Sequence, residues 1–222
     1  MSEKLEELPL FPLETVLFPY AALQLHVFED RYREMVRRCM DEDRPFGIVL
    51  IRSGGEVGDT AEPYMVGTAV HIVQVFTYED GRLDVQVQGE RRFRIRRLDE
   101  SKPYLVGHVE PVVELDLMDS EGAQQIIQRA REEFQTFVEG LFARQDFKVQ
   151  VRFPTDPTAL SFTIANLLTM ENLEKQRLLE LTDTLERLEG LTPILERNIL
   201  DARIAAPQRL RPGDLMEWIH PN

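Results

Sequence analysis

The apolar positions change period near the middle of the chain. Up to about residue 116 they fall in short β-branched and aromatic runs that glycine and proline interrupt. Leu8–Leu13 carries Pro9 and Pro12 and predicts an extended start, because proline breaks a helix interior and cannot donate to a sheet ladder. Thr15–Phe18 and Leu23–Val27 predict short strands around a turn at Pro19. Glu29–Met40 differs: Tyr32, Met35, Val36 and Cys39 recur at helical spacing, with arginines and glutamates between them. Phe46–Ile51 is an apolar run of strand length, ended by Ser53-Gly54-Gly55. Val66–Phe76 and Leu83–Gln88 predict an antiparallel pair joined at Glu79-Asp80-Gly81, where Asp-Gly suits a tight hairpin. Phe93–Leu98 and Tyr104–Val113 complete a set of short strands whose frequent turn signals predict a small closed or nearly closed sheet.

From Asp119 onward the period is about 3.6. Ala123, Ile126, Ile127, Ala130, Phe134, Phe137, Val138 and Leu141 form one long apolar stripe, with Asp119 or Ser120 able to cap its start. Asp156-Pro157 pairs a capping carboxylate with proline at the first helical position, and Leu160, Ile164, Leu167 and Leu168 follow at helical spacing. A third helix is expected from about Glu171, with Leu173, Leu178, Leu179 and Leu181 buried. Thr182 is the expected cap of a fourth, which carries Leu185, Leu188 and Leu191, and Pro193 should either start a new helix or kink that one. Short connections between helices predict a bundle packed on itself. The chain therefore reads as α+β: a β-rich subdomain over 1–116 with one helix, then an α-helical subdomain over 117–222 with a short tail. In that tail, Leu215 and Trp218 are expected to dock against the body or a neighbouring molecule.

Composition narrows the function. Across 222 residues, 39 acidic against 26 basic side chains give a net charge of −13. That sign opposes phosphate tracking and an anionic membrane surface, so nucleic acid and membrane are not expected partners. No run approaches the ~20 apolar residues of a bilayer span, and MSEKLEELPL lacks the apolar core of a secretory signal, so a cytoplasmic setting is expected. One cysteine, Cys39, excludes an internal disulfide and a multi-cysteine metal site.

Several catalytic motifs fail on residue supply alone; a Ser–Lys dyad is not among them, but the neighbours Ser101 and Lys102 would diverge in an extended segment. No glycine is followed by lysine, which removes the phosphate-cradling loop, and Ser53 has Ile51 rather than glycine two residues before it, which removes a nucleophile elbow. His26, His71, His108 and His220 show no metal-ligand spacing. No catalytic residue, metal or cofactor is expected. The run Glu90–Arg97 carries a candidate charge feature: on a strand, Phe93 and Ile95 face the core while Arg92, Arg94 and Arg96 project from the other face. That face is either an anion or RNA contact or an exposed surface paired with neighbouring acids.

The order of several segments resembles the Lon protease N-terminal domain family. Leu8-Pro9-Leu10-Phe11-Pro12-Leu13, Val16-Leu17-Phe18-Pro19, Leu23–Glu29 and Arg31-Tyr32 resemble its opening. Phe46–Leu50, Val66-Gly67-Thr68-Ala69, Asp80-Gly81-Arg82 and Gly89–Phe93 continue the likeness, followed by Asp156-Pro157, Ile164-Ala165, Glu174–Glu180 and Glu186-Arg187-Leu188. The resemblance implies a PUA-like β-rich pseudo-barrel followed by an α-helical bundle. It also implies a stand-alone form that lacks the family's ATPase and Ser–Lys peptidase modules, and so a chain that is not an enzyme.

The resemblance further implies a module that binds unfolded or damaged polypeptide segments, an adaptor or regulator in protein quality control beside a separate protease or chaperone. Aromatics near proline-constrained loops are the candidate contacts: Phe18, Tyr20, Phe28, Tyr64 and Phe76. The alternative is a PUA-like RNA or small-ligand module using Arg92, Arg94 and Arg96, an inference from architecture alone. Self-association of the helical half into a homodimer is left open.

Overall fold

The computed structural model describes residues 5–56, 58, 61–117, 120–142 and 152–204. The backbone divides into two compact units, Met1–Val112 and Val113–Asn222.

The first unit contains β1 (Glu6–Leu13), β2 (Ala22–Val27), α1 (Asp30–Asp41), β3 (Phe46–Ser53), β4 (Glu62–Pro63), β5 (Val66–Thr77), β6 (Leu83–Asp99) and β7 (Val106–Pro111). Five strands close a ring in the order β1-β7-β6-β5-β3, sealed where β1 runs parallel to β3 with Leu10 opposite Gly47. The other ring pairings are antiparallel, and β2 and β4 flank the ring on β6 and β3. Leu8, Leu10, Val49, Ala69, Phe93, Ile95 and Val109 fill its interior. Phe93 sits where two glycines leave room for it: a Cβ at Gly47 would lie 2.5 Å from its ring and one at Gly67 2.8 Å. As the spacing predicts, Tyr32, Met35, Val36 and Cys39 are the buried face of α1, and Tyr32 stacks on Phe11 at 4.2 Å. Burial pushes the Cys39 thiol up to about 11.

Two strand expectations are corrected. Leu83–Gln88 and Phe93–Leu98 are one 17-residue strand, β6. Gly89 does not break it but lets another backbone cross close by: Gly89 N–H donates to Ala21 O at 2.8 Å, and Tyr20 N–H donates to Gly89 O at 2.9 Å. A Cβ at Gly89 would stand 2.5 Å from the Phe18 carbonyl oxygen. Thr15–Phe18 is not a strand. Val16, Leu17 and Phe18 are apolar because that irregular segment is buried, with the Leu17 carbonyl accepting from the Thr68 hydroxyl at 2.6 Å. The Asp80-Gly81 turn forms as the sequence predicts, Gly81 taking a φ of 86°.

The second unit is helical: α2 (Glu121–Phe142), α3 (Pro157–Leu167), α4 (Asn172–Glu180) and α5 (Thr184–Ile204). Of the two cap candidates for α2, the Ser120 hydroxyl accepts from Ala123 N–H at 3.1 Å. The Asp156 carboxylate caps α3 through Ala159 N–H at 2.7 Å. Asp183, not Thr182, caps α5, its carboxylate accepting from Leu185 N–H at 2.8 Å and Glu186 N–H at 3.2 Å. Pro193 does not start a new helix, since α5 runs through it. Leu173 is exposed. It shares a stripe with exposed Arg177 four residues on, whereas Gln176, Leu178 and Leu179 form the buried face of α4 and Leu181, just beyond it, is half-buried.

Among the described residues, the largest fully buried side chain is Arg187. Its Nε donates to Ser161 Oγ at 2.8 Å, its Nη1 to Leu181 O at 2.7 Å, and its Nη2 to Thr184 Oγ1 at 3.0 Å and Glu114 Oε2 at 3.1 Å. The guanidinium carbon lies 4.1 Å from the Phe162 ring centroid. Desolvation holds its pKa below that of a free arginine, with the Glu114 carboxylate acting in the opposite sense. The expected docking of Leu215 and Trp218 lies outside the described residues.

Candidate polypeptide-binding surface

The site grows out of a three-stranded face, β2-β6-β5, at the hairpin end of the β-rich unit. Side chains alternate across it. Leu25, Val85 and Val75 are in register on one side; the rows His26–Asp84–Phe76 and Gln24–Gln86–Gln74 are in register on the other. The second side is exposed or half-buried at all six positions.

The row that ends on Phe76 carries a connected aromatic strip. His26 Nδ1 lies 2.6 Å from Asp84 Oδ1, and the Tyr78 hydroxyl donates to Asp84 Oδ2 at 2.6 Å. These two contacts, Tyr78 first, hold the Asp84 carboxyl below the usual carboxylate range. The same hydrogen bond raises the Tyr78 phenol. Phe76 meets Tyr78 edge-on at 4.9 Å, while His26 lies 6.2 Å from both Tyr78 and Phe28. Asp84 therefore fixes the orientation of two rings, and Phe28 and Phe76 extend the strip to either side. Phe28 is 48% exposed and Phe76 59%. Large rings held open in this way are apolar area available to a partner.

Phe28 also lines a groove of about 230 Å³, together with Phe11, Leu25, His26, Tyr32 and Glu56. That volume falls below the roughly 300–1,000 Å³ of small-molecule sites and suits one or two side chains. Glu29 lines it as well, with Arg31 Nη2 3.1 Å from its carboxylate.

The sequence candidates separate. Phe28 and Phe76 are brought into one strip, whereas Phe18 is 1% exposed and belongs to the core. Tyr20 is 38% exposed on the turn before β2, at a φ of 68°. Tyr64 is half-buried between β4 and β5. His26, Tyr78 and Asp84 join the site without having been singled out. The only available signal was β-pairing across some 60 residues, which local spacing does not encode.

The arginine face is not the continuous row that alternation predicts. Arg92 is 3% exposed. It pairs in register with Thr68, whose fully buried hydroxyl is covered by the Leu17 carbonyl, so the Thr15–Phe18 segment closes over that side. Arg94 is half-buried. Arg96 is the extra residue of a bulge between Ile95 and Arg97 opposite β7, and it pairs with Glu110. Arg91 is held by Glu6, and Arg97 Nη2 is 2.8 Å from His108 Nε2.

Among the described residues, no group of three or more His, Cys, Asp or Glu could hold a metal ion, and no helix is long and apolar enough to cross a membrane.

The model of the ATP-dependent protease La (LON) substrate-binding domain matches residues 7–197. Lon protease from Heliobacterium modesticaldum is 29% identical over 204 residues, and Lon protease 2 from Herpetosiphon aurantiacus is 31% identical over 196. These alignments cover 89% and 87% of this chain but 24% of each relative, so the chain spans about a quarter of the curated relatives' length. The crystal structure of a Lon N-terminal domain protein from Xanthomonas campestris superposes with a TM-score of 0.61 at 28% identity, covering 85% of this chain and 98% of that one. The N-terminal domain of Mycobacterium avium complex Lon protease shares the fold at a TM-score of 0.67 and 21% identity, covering 86% and 98%. From β1 to the middle of α5, this chain belongs to the Lon substrate-binding domain family.

Proposed function

We propose that this chain is a non-catalytic polypeptide-binding module that receives unfolded or damaged segments and presents them to a separate protease or chaperone. The observation that carries the reading is the strip Phe28–His26–Tyr78–Phe76, four rings of which one carboxylate holds the middle two, beside a groove that Phe28 also lines. Apolar area of this kind holds many sequences, because the hydrophobic effect has no direction. Folded proteins bury the side chains that would meet it, so the surface discriminates by folding state.

The alternative, an RNA-binding face on Arg92, Arg94 and Arg96, draws less support. One of the three guanidiniums is buried and another is engaged by Glu110. Isothermal titration with a permanently unfolded, reduced and carboxymethylated protein and with its native form tests the proposal. Binding of the unfolded form alone is expected; equal or absent heats for the two forms would remove it. Oligonucleotide affinity that falls steeply with added salt would restore the alternative.

A further inference from the structure

Strand β5 outruns its neighbour. Its pairing with β3 covers only Thr68, Ala69 and Val70, while its pairing with β6 continues to Thr77. From His71 to Thr77 the outer edge of β5 therefore carries no strand partner among the described residues. All seven residues are exposed or half-buried, including Val73 at 54% exposure. An open edge presents a row of backbone donors and acceptors that another chain can complete, and proteins usually protect such edges with lysine, proline or an inward-pointing charge. His71-Ile72-Val73-Gln74-Val75-Phe76-Thr77 contains no proline and no Asp, Glu, Lys or Arg. A bulge does interrupt it: Ile72 pairs with Val87 and Gln74 with Gln86, which leaves Val73 as the extra residue. The regular part of the edge is thus Gln74–Thr77, with Val73 turned out at one end and Phe76, already part of the aromatic strip, within it.

We infer that this edge binds an extended polypeptide by strand addition, the client's backbone pairing with β5 along Gln74–Thr77 while its alternate side chains reach Phe76 and Val73. This rests on the polypeptide-binding reading and gives it a mechanism. Backbone pairing supplies affinity without a sequence code, and the side-chain contacts favour apolar and β-branched residues. The occupant is a neutral or basic segment of another chain rather than a second copy. The edge itself offers no charge, and a second copy brings the same net charge of −13, which opposes association.

The test uses the full chain and a fluorescein-labelled peptide of alternating valine and threonine with two lysines at each end. A second peptide is identical but N-methylated at alternate residues, which removes the donors of one edge and keeps every side chain. Anisotropy should show the methylated peptide binding at least tenfold more weakly, since several backbone hydrogen bonds are lost together. The unmethylated peptide should slow amide exchange within Gln74–Thr77. Equal binding of the two peptides, with no change in exchange there, overturns strand addition but leaves polypeptide binding standing. Binding of neither peptide, together with no binding of the carboxymethylated protein, overturns both. Protection of Gln74–Thr77 that rises with protein concentration alone, with dimers in sedimentation, would assign the edge to a second copy and overturn the inference.

Discussion

Replacing Phe76 with alanine isolates the aromatic strip from the stability of the fold. A phenylalanine presents about 200 Å², and Phe76 keeps 59% of its surface open, so roughly 120 Å² is available to a partner. At about 25 cal/mol per Å² that area is worth at most ~3 kcal/mol on complete burial. Association recovers only part of such area, because ordering the bound segment opposes it. The expected loss in affinity for an unfolded client is therefore between about tenfold and a hundredfold. Anisotropy of a labelled, carboxymethylated client titrated with wild type and Phe76→Ala measures it directly. The urea midpoint should barely move, since a side chain this exposed contributes little to folding. Phe28→Ala should give a similar loss, and the double variant less than the sum, because both rings are coupled through His26 and Tyr78. An unchanged affinity in both single variants would refute the strip as the contact surface.

Three further outcomes concern the scaffold. Arg187→Ala should destabilise the helical unit by about 2–4 kcal/mol in urea melts followed by circular dichroism, because it removes the hydrogen bonds of a fully buried guanidinium to Ser161, Leu181, Thr184 and Glu114 together; a loss below about 1 kcal/mol would show the network to be incidental. Gly89→Ala should lower stability by about 1–3 kcal/mol, because a Cβ there stands 2.5 Å from the Phe18 carbonyl; an unshifted midpoint would count against close backbone crossing. Asp84 has a folded-state pKa below its unfolded one, so its stabilisation is present above the unfolded pKa and disappears as the pH falls through the folded pKa. Tyr78→Phe should thus lower the urea midpoint at neutral pH, with the difference from wild type shrinking as the pH falls through the folded pKa of Asp84, and a constant difference at all pH values would argue against the Asp84 contact.

Local chemistry was legible in the sequence wherever neighbours in the chain decide the outcome. The α1 stripe of Tyr32, Met35, Val36 and Cys39, the Asp80-Gly81 turn and the Asp156 cap all formed as their spacing predicts. Features set by distant residues were not legible. Gly89 reads as a strand break until the Phe18–Ala21 turn is seen to cross it. Strand alternation places Arg92 in solvent until the Thr15–Phe18 segment covers that face. The bulge at Arg96 shifts the register of the arginine run, and no residue type announces it. The site followed the same division: Phe28 and Phe76 were identifiable as aromatics beside turns, but their link through His26, Asp84 and Tyr78 depends on β2 pairing with β6. Phe18 has the same local signature as Phe28 and lies in the core, because burial is a property of the assembled ring.

The seam of the ring has a consequence for biosynthesis. Glu6 pairs with Val109 and Leu10 with Gly47, so the first strand made is held by the third and by the last. A ribosome releasing this polypeptide from its N-terminus cannot let the cylinder shut until residues beyond 109 have cleared the exit tunnel, some tens of residues after the fifth strand emerges. Throughout that interval Leu8, Leu10 and Phe93 lack their enclosing wall, and a protein whose proposed task is to hold unfinished chains is, during its own synthesis, such a chain itself.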